Sequence, residues 1–172
     1  MNKKYDDAQI EELAVAELKK YGLYELPIDV HRLARYKNAT IYTADFEDKS
    51  ISGMISKKGK SYSIYVNREH SATRNQFTIA HELGHLILGH LDGDRQSITD
   101  EQLNMYRRDY TNDDERRLEV EANKFAAALL MPTEFVIQVW NECEGDLEAM
   151  ARRFRVSEAA MGYRADHVDR RG

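Results

Sequence analysis

The chain has 172 residues, 42% hydrophobic content, 25 Lys+Arg against 30 Asp+Glu and a single Cys. That suits one compact domain, which at this length buries a core without disulfide or metal staples. A net charge of −5 argues against a protein whose main work is gripping nucleic acid, because phosphate neutralisation needs a basic surface. Cys143 has no internal partner and the N-terminal MNKKYDDAQIEEL lacks the apolar run of a signal peptide, so a reducing cytoplasm is the expected compartment. No stretch reaches the roughly 18 apolar residues of a membrane span, so no membrane role is expected.

In chain order, Ile10, Leu13, Ala14, Ala16 and Leu18 recur at helical spacing and Gly22 supplies a stop, which predicts an amphipathic helix over 6–21. Asp29 is placed to cap a second, short helix carrying Val30, Leu33 and Ala34. Three β-rich runs follow, Ala39–Ala44, Ile51–Ser56 and Tyr62–Asn67, the last two reading as an antiparallel hairpin across Lys57–Lys60. From Ser71 to Leu91 the pattern is helical and apolar around most of its circumference, which predicts a buried helix. The polar, acidic stretch Asp92–Arg117 reads as an excursion with at most a short helix near Thr99–Arg107. Helical periodicity returns over Asp114–Met131, stops at Pro132 and resumes over Thr133–Trp140. Two short helices, Asp146–Phe154 and Ser157–His167, end the chain. The expected class is α+β, with a small antiparallel or mixed three-stranded sheet packed on helices. We expect residues 1–145 to form the main domain and 146–172 a C-terminal helical pair packed on it as one compact unit.

The chemistry concentrates in His81-Glu82-Leu83-Gly84-His85. Residues four apart on a helix are separated by about 40° around the axis, so both imidazoles project from one face and can share one Zn²⁺. A shuffled chain with six His and sixteen Glu in 172 positions would contain H-E-x-x-H about 0.02 times. Accident therefore explains it poorly. Two core or capping histidines beside a surface Glu is the plainer alternative, but a metal better compensates burial of two polar rings. Glu82 is then placed to reach a water activated by the metal rather than the metal itself. His90 lies five residues beyond His85, about 140° away on a continuing helix, and reads as a residue complementing the last-turn carbonyls. The metzincin continuation would need Gly at 88 and His at 91, where this chain has Leu88 and Leu91.

A third ligand must come from another helix, and the segment Glu119–Ala126 offers it. Leu118, Ala122, Phe125, Ala126 and Leu129 form an inward stripe, with Glu119 on its edge and Asn123 one turn later. Periodicity alone leaves Glu119 and Glu121 both open as the ligand, with an ordinary surface acid as the plain alternative for either. Asn123 can orient a ligating group from behind.

With these residues in place, the chain resembles the ImmA/IrrE family of zinc metallopeptidases. The matching stretches are Ile64–Asn67, Arg74–His85, the E-x-E-A-N-x-F-A-x-x-L-L-M-P string Glu119–Pro132, and Leu147–Arg164 with its F-x-V-S step at Phe154–Ser157. The resemblance implies a compact zincin-like fold with the sheet beside the His-bearing helix. It selects Glu119 over Glu121, because glutamate-type zincins place the ligating Glu four residues before an Asp or Asn. It further implies a protein substrate, a helix-turn-helix repressor whose cleavage releases mobile-element or stress genes. Other members of the family are paired with repressor-like partners in toxin–antitoxin arrangements.

On this reading His81, His85 and Glu119 hold Zn²⁺, with Mn²⁺ or Fe²⁺ compatible with the same N/O donors, and Glu82 is the general base. The oxyanion donor is left open among Tyr110, Tyr163, His90 and His167. An extended substrate is expected to add to the sheet along the strand ending at Asn67. One rival reading is a metal-containing, toxin-like or stoichiometric regulator that binds its partner without cutting it. Another is a DNA-binding regulator, since residues 151–172 carry six Arg against Glu158, Asp166 and Asp169. The second helix of that pair, however, opens Ser157-Glu158-Ala159-Ala160, with an acid where phosphate contacts are wanted. Direct nucleic-acid binding is accordingly not expected.

Overall fold

The computed structural model describes residues 3–91, 97–101 and 113–169. Helix α1 (Asp7–Lys20) opens with a capping box, the Asp6 carboxylate accepting from the Gln9 amide and the Gln9 side chain accepting from the Asp6 N–H, and it buries Ile10, Ala14 and Leu18. Asp29 caps α2 (Val30–Tyr36) as expected, through Arg32 N. Strands β1 (Ala39–Ala44), β2 (Ile51–Lys58) and β3 (Ser61–Asn67) then form a mixed sheet. β1 runs parallel to β3 and β2 antiparallel to it, with Ile55 opposite Ile64 on the buried face. On the other face Tyr42 stacks on its cross-strand partner Tyr65 at 5.3 Å.

A fourth strand, β4 (Ser97–Glu101), pairs antiparallel with β2, giving the order β1-β3-β2-β4. This replaces the short helix expected near Thr99–Arg107 at its first three residues; 102–107 lie outside the described residues. The local reason is that a short polar helix is marginal by itself. Ser97-Ile98-Thr99 instead meets an open edge of β2 that accepts a strand. The strand order also overturns the substrate edge placed at Asn67. β3 is hydrogen-bonded on both sides, and Asn67 acts as a clamp: its Nδ2 donates to Ile51 O, its Oδ1 accepts from Glu69 N, and its carbonyl accepts from Asn75 Nδ2. Among the described residues the outer edges belong to β1 and β4.

Ser71 caps α3 (Ala72–Ile87), in which eight consecutive residues, Thr78–His85, are buried. The helix has no solvent face over those two turns because β2 and β3 pack on one side and α4 (Asp113–Leu130) on another. Helices α5 (Thr133–Glu142), α6 (Leu147–Phe154) and α7 (Glu158–Asp169) follow. Met150, Phe154 and Met161 of the last two join the same apolar cluster as Leu18, Leu83 and Phe125. No helix among the described residues is long and apolar enough to cross a membrane.

Candidate metal centre

α3 presents His81 and His85 one turn apart, with their Nε2 atoms 3.0 Å from each other and both rings fully buried. α4 brings Glu119 against them: Oε2 lies 3.3 Å from His81 Nε2 and Oε1 lies 3.5 Å from His85 Nε2. Ligand atoms at about 2.0–2.1 Å from a tetrahedral Zn²⁺ stand about 3.3–3.4 Å apart. The three observed separations bracket that value. The Nδ1 atoms of both rings are engaged elsewhere, so two imidazole Nε2 atoms and a carboxylate converge in a largely buried space. A cation at their centre relieves that crowding of lone pairs and charge, and this buried group could hold a metal ion. Burial raises the Glu119 carboxyl, but hydrogen bonds to the two imidazoles outweigh it and keep the group well below the usual carboxylate range, hence anionic.

Behind His81, Asn123 Oδ1 lies 2.9 Å from Nδ1. Glu119 and Asn123 are four apart on α4, so one helix face holds this ring from both nitrogens. Glu82 is also fully buried. β2 crosses it at Gly53, where an added Cβ would lie 3.1 Å from Glu82 Oε1 and would collide with Thr78 Cγ2. Only a residue without a side chain lets the strand pass this close to the carboxylate.

His90 occupies a different place from the one its spacing suggests. α3 does not continue to it: Leu88 closes the helix, Gly89 adopts φ +76, Gly89 N donates to Leu86 O and His90 N donates to His85 O at 2.9 Å. These are the two bonds of a Schellman motif, which folds the chain back over its last turn. His90 is thereby buried, its Nδ1 2.9 Å from His85 Nδ1 and its Nε2 3.2 Å from Glu121 Oε2. Burial, then the neighbouring His85, push His90 down to about 3, so the ring is neutral at pH 7. Glu121, the other acid left open by periodicity, points to His90 and not to the His81–His85 pair. Its Oε1 accepts from Arg117 Nη1 at 3.1 Å and Tyr5 N at 3.4 Å. A helix-ending Gly one residue before a His was the available signal for this return.

Of the residues considered as oxyanion donors, His90 is taken up by His85 and Glu121. Tyr163 and His167 pack on each other on α7, with ring centroids 4.3 Å apart. Tyr110 lies outside the described residues. Tyr163 and His167 line a groove of about 890 Å³ that also includes Arg74, Phe77, Val120 and the Asn123 that backs His81.

The family model described as Peptidase_M78, IrrE N-terminal-like domain, matches residues 34–166. No curated protein matches the chain significantly. Among solved structures, a Mycobacterium tuberculosis transcriptional regulator is similar in fold, with a TM-score of 0.63 at 15% identity, over 90% of this chain and 45% of that one. This chain thus spans less than half of that structure.

Proposed function

Because the chain belongs to the Peptidase_M78 family of IrrE N-terminal-like domains, we propose that it is a zinc-dependent endopeptidase of the H-E-x-x-H plus Glu type, acting in the cytoplasm on a helix-turn-helix repressor. The observation that carries this is the buried triangle of His81, His85 and Glu119, with Glu82 next to the first ligand on the same helix. His81 and His85 supply imidazole nitrogens and Glu119 a carboxylate, a donor set suited to Zn²⁺ and tolerant of Mn²⁺ or Fe²⁺. A bound divalent ion supplies Lewis acidity, lowering the pKa of water and polarising a carbonyl. Glu82 takes the proton of the attacking water and returns it to the departing amine. Asn123 holds the His81 ring in register from behind. The groove that reaches Asn123 gives a substrate chain a path along α4 and α7. Ala160, Tyr163 and His167 of α7 line one wall of that path.

The test is incubation with the repressor encoded nearest to this chain, with zinc, with chelator, and with Glu82→Gln. Two repressor fragments are expected only from wild type with metal. A stable, uncut complex in every arm would replace proteolysis with stoichiometric binding. Equal cleavage by Glu82→Gln would remove the general-base assignment.

A further inference from the structure

We infer that Glu121 and His90 form a positioning chain that sets the tautomer and ring orientation of His85. This rests on the reading of His85 as a metal ligand. The Glu121 carboxylate oxygens sit as acceptors, one towards Arg117 and the Tyr5 amide and the other 3.2 Å from His90 Nε2, so that ring nitrogen is the donor. With His85 facing the site through Nε2, its proton sits on Nδ1, and His90, donating from Nε2, offers its Nδ1 lone pair to it. Two Nδ1 atoms 2.9 Å apart need one donor and one acceptor, so His85 must donate from Nδ1. Its Nε2 is then bare and faces Glu119 and His81 Nε2.

The carboxylate of α4 thus fixes, through one intervening ring, which nitrogen of an α3 histidine is available for coordination. Arg117 Nη1 and the Tyr5 amide hold the far oxygen of Glu121, so the acceptor at the end of the chain cannot turn away. The Schellman turn at Leu88–His90 delivers the intermediate ring. The two candidate ligands are consequently oriented by different means. His81 leans directly on the Asn123 amide oxygen, while His85 leans on a carboxylate two bonds away. Partners of this kind raise ligand basicity as well as fixing geometry.

The test measures zinc affinity by chelator competition in wild type, His90→Phe, His90→Gln and Glu121→Ala, each checked for folding by circular dichroism. Long-range ¹H–¹⁵N histidine spectra of zinc-loaded wild type are recorded alongside. His90→Phe and Glu121→Ala are expected to bind zinc about 10- to 100-fold more weakly than wild type, with His90→Gln recovering part of the loss because its amide can accept from His85. The spectra are expected to show His85 protonated at Nδ1 and His90 at Nε2. A folded His90→Phe with wild-type affinity, or spectra with the His85 proton on Nε2, would overturn the chain while leaving the metal site standing. If His90→Phe does not fold, the wild-type spectra decide alone. Failure of wild type to bind zinc would remove both the site and its positioning chain.

Discussion

Gly84 lies directly against the backbone of Ala122: a Cβ built at Gly84 would sit 3.1 Å from the Ala122 carbonyl oxygen and 3.2 Å from its Cα, with Phe125 Cβ at 3.3 Å. The glycine inside the histidine motif is therefore a point of close approach between α3 and α4, one residue before His85 on α3 and facing, on α4, the residue three after Glu119. Close approach here is what lets a Glu side chain from α4 span to two α3 imidazoles. Replacing Gly84 by Ala gains at most about 1 kcal/mol of helix propensity, whereas overpacking against backbone costs about 1–3 kcal/mol. The clash wins. Gly84→Ala is expected to lower the melting temperature and Gly84→Val to lower it further, and both should weaken zinc binding because α4 carries Glu119 away. Thermal melts with and without zinc check this.

Glu82 is buried under Gly53, in contact range of β2. Glu82→Gln keeps the shape of the side chain and removes its basicity. Peptide hydrolysis is expected to fall by about 10²–10⁴, with zinc content unchanged. Paired activity assays and metal analysis check it. Gly53→Val is expected to reduce stability and activity together, since its side chain would be driven into Thr78 and towards Glu82.

A second polar junction, away from the metal centre, ties α1 to the start of α5 and to α7. Glu11 Oε1 accepts from Arg164 Nη2 at 2.7 Å, from Thr133 N at 3.2 Å and from the Thr133 hydroxyl, while Arg164 Nε donates to Met131 O at 2.9 Å. Burial raises the Glu11 carboxyl, but its bonds to Thr133 and Arg164 prevail and hold it below its ordinary value of 4.5. Arg164→Met is expected to cost about 2–3 kcal/mol, less than for a fully dry pair because Glu11 retains some solvent contact. Urea unfolding measures this.

The same junction gives a pH dependence with a definite sign. Glu11 protonates more readily in the unfolded chain than in the folded one, so its contribution is complete above about pH 4.5 and declines as pH falls towards the depressed folded value. The stability difference between wild type and Glu11→Gln should therefore be constant from pH 6 to 5 and shrink below about 4.5. A difference that grows on acidification would contradict the arrangement.

Much of this was legible from periodicity and, at Asp29, from capping. Asp6, Asp29, Ser71 and Asp146 each cap the helix that follows through a side-chain oxygen. The i, i+4 spacing of His81 and His85 was enough to place both rings on one face. The misplaced elements have a common cause, which is that tertiary context supplied what the local pattern lacked. Extending α3 past Leu88 gives His90 the wrong direction, because Gly89 at φ +76 follows the end of the helix and reverses the chain. β4 depends on an edge that only the folded β2 provides. Asn67 ends a strand whose two neighbours, one of them a parallel β1 from earlier in the chain, leave it no open edge. Glu119 and Glu121 differ by about 200° around α4, and choosing between them required knowing which side of α4 faces α3.

The central claim, that His81, His85 and Glu119 hold one divalent ion, is tested most directly by isothermal titration of the metal-free chain with zinc, in wild type and in Glu119→Ala and His85→Ala. Wild type is expected to bind zinc in equimolar amount, and each folded variant to lose affinity by more than about tenfold. No binding by wild type, or equally tight binding by Glu119→Ala and His85→Ala, would contradict it.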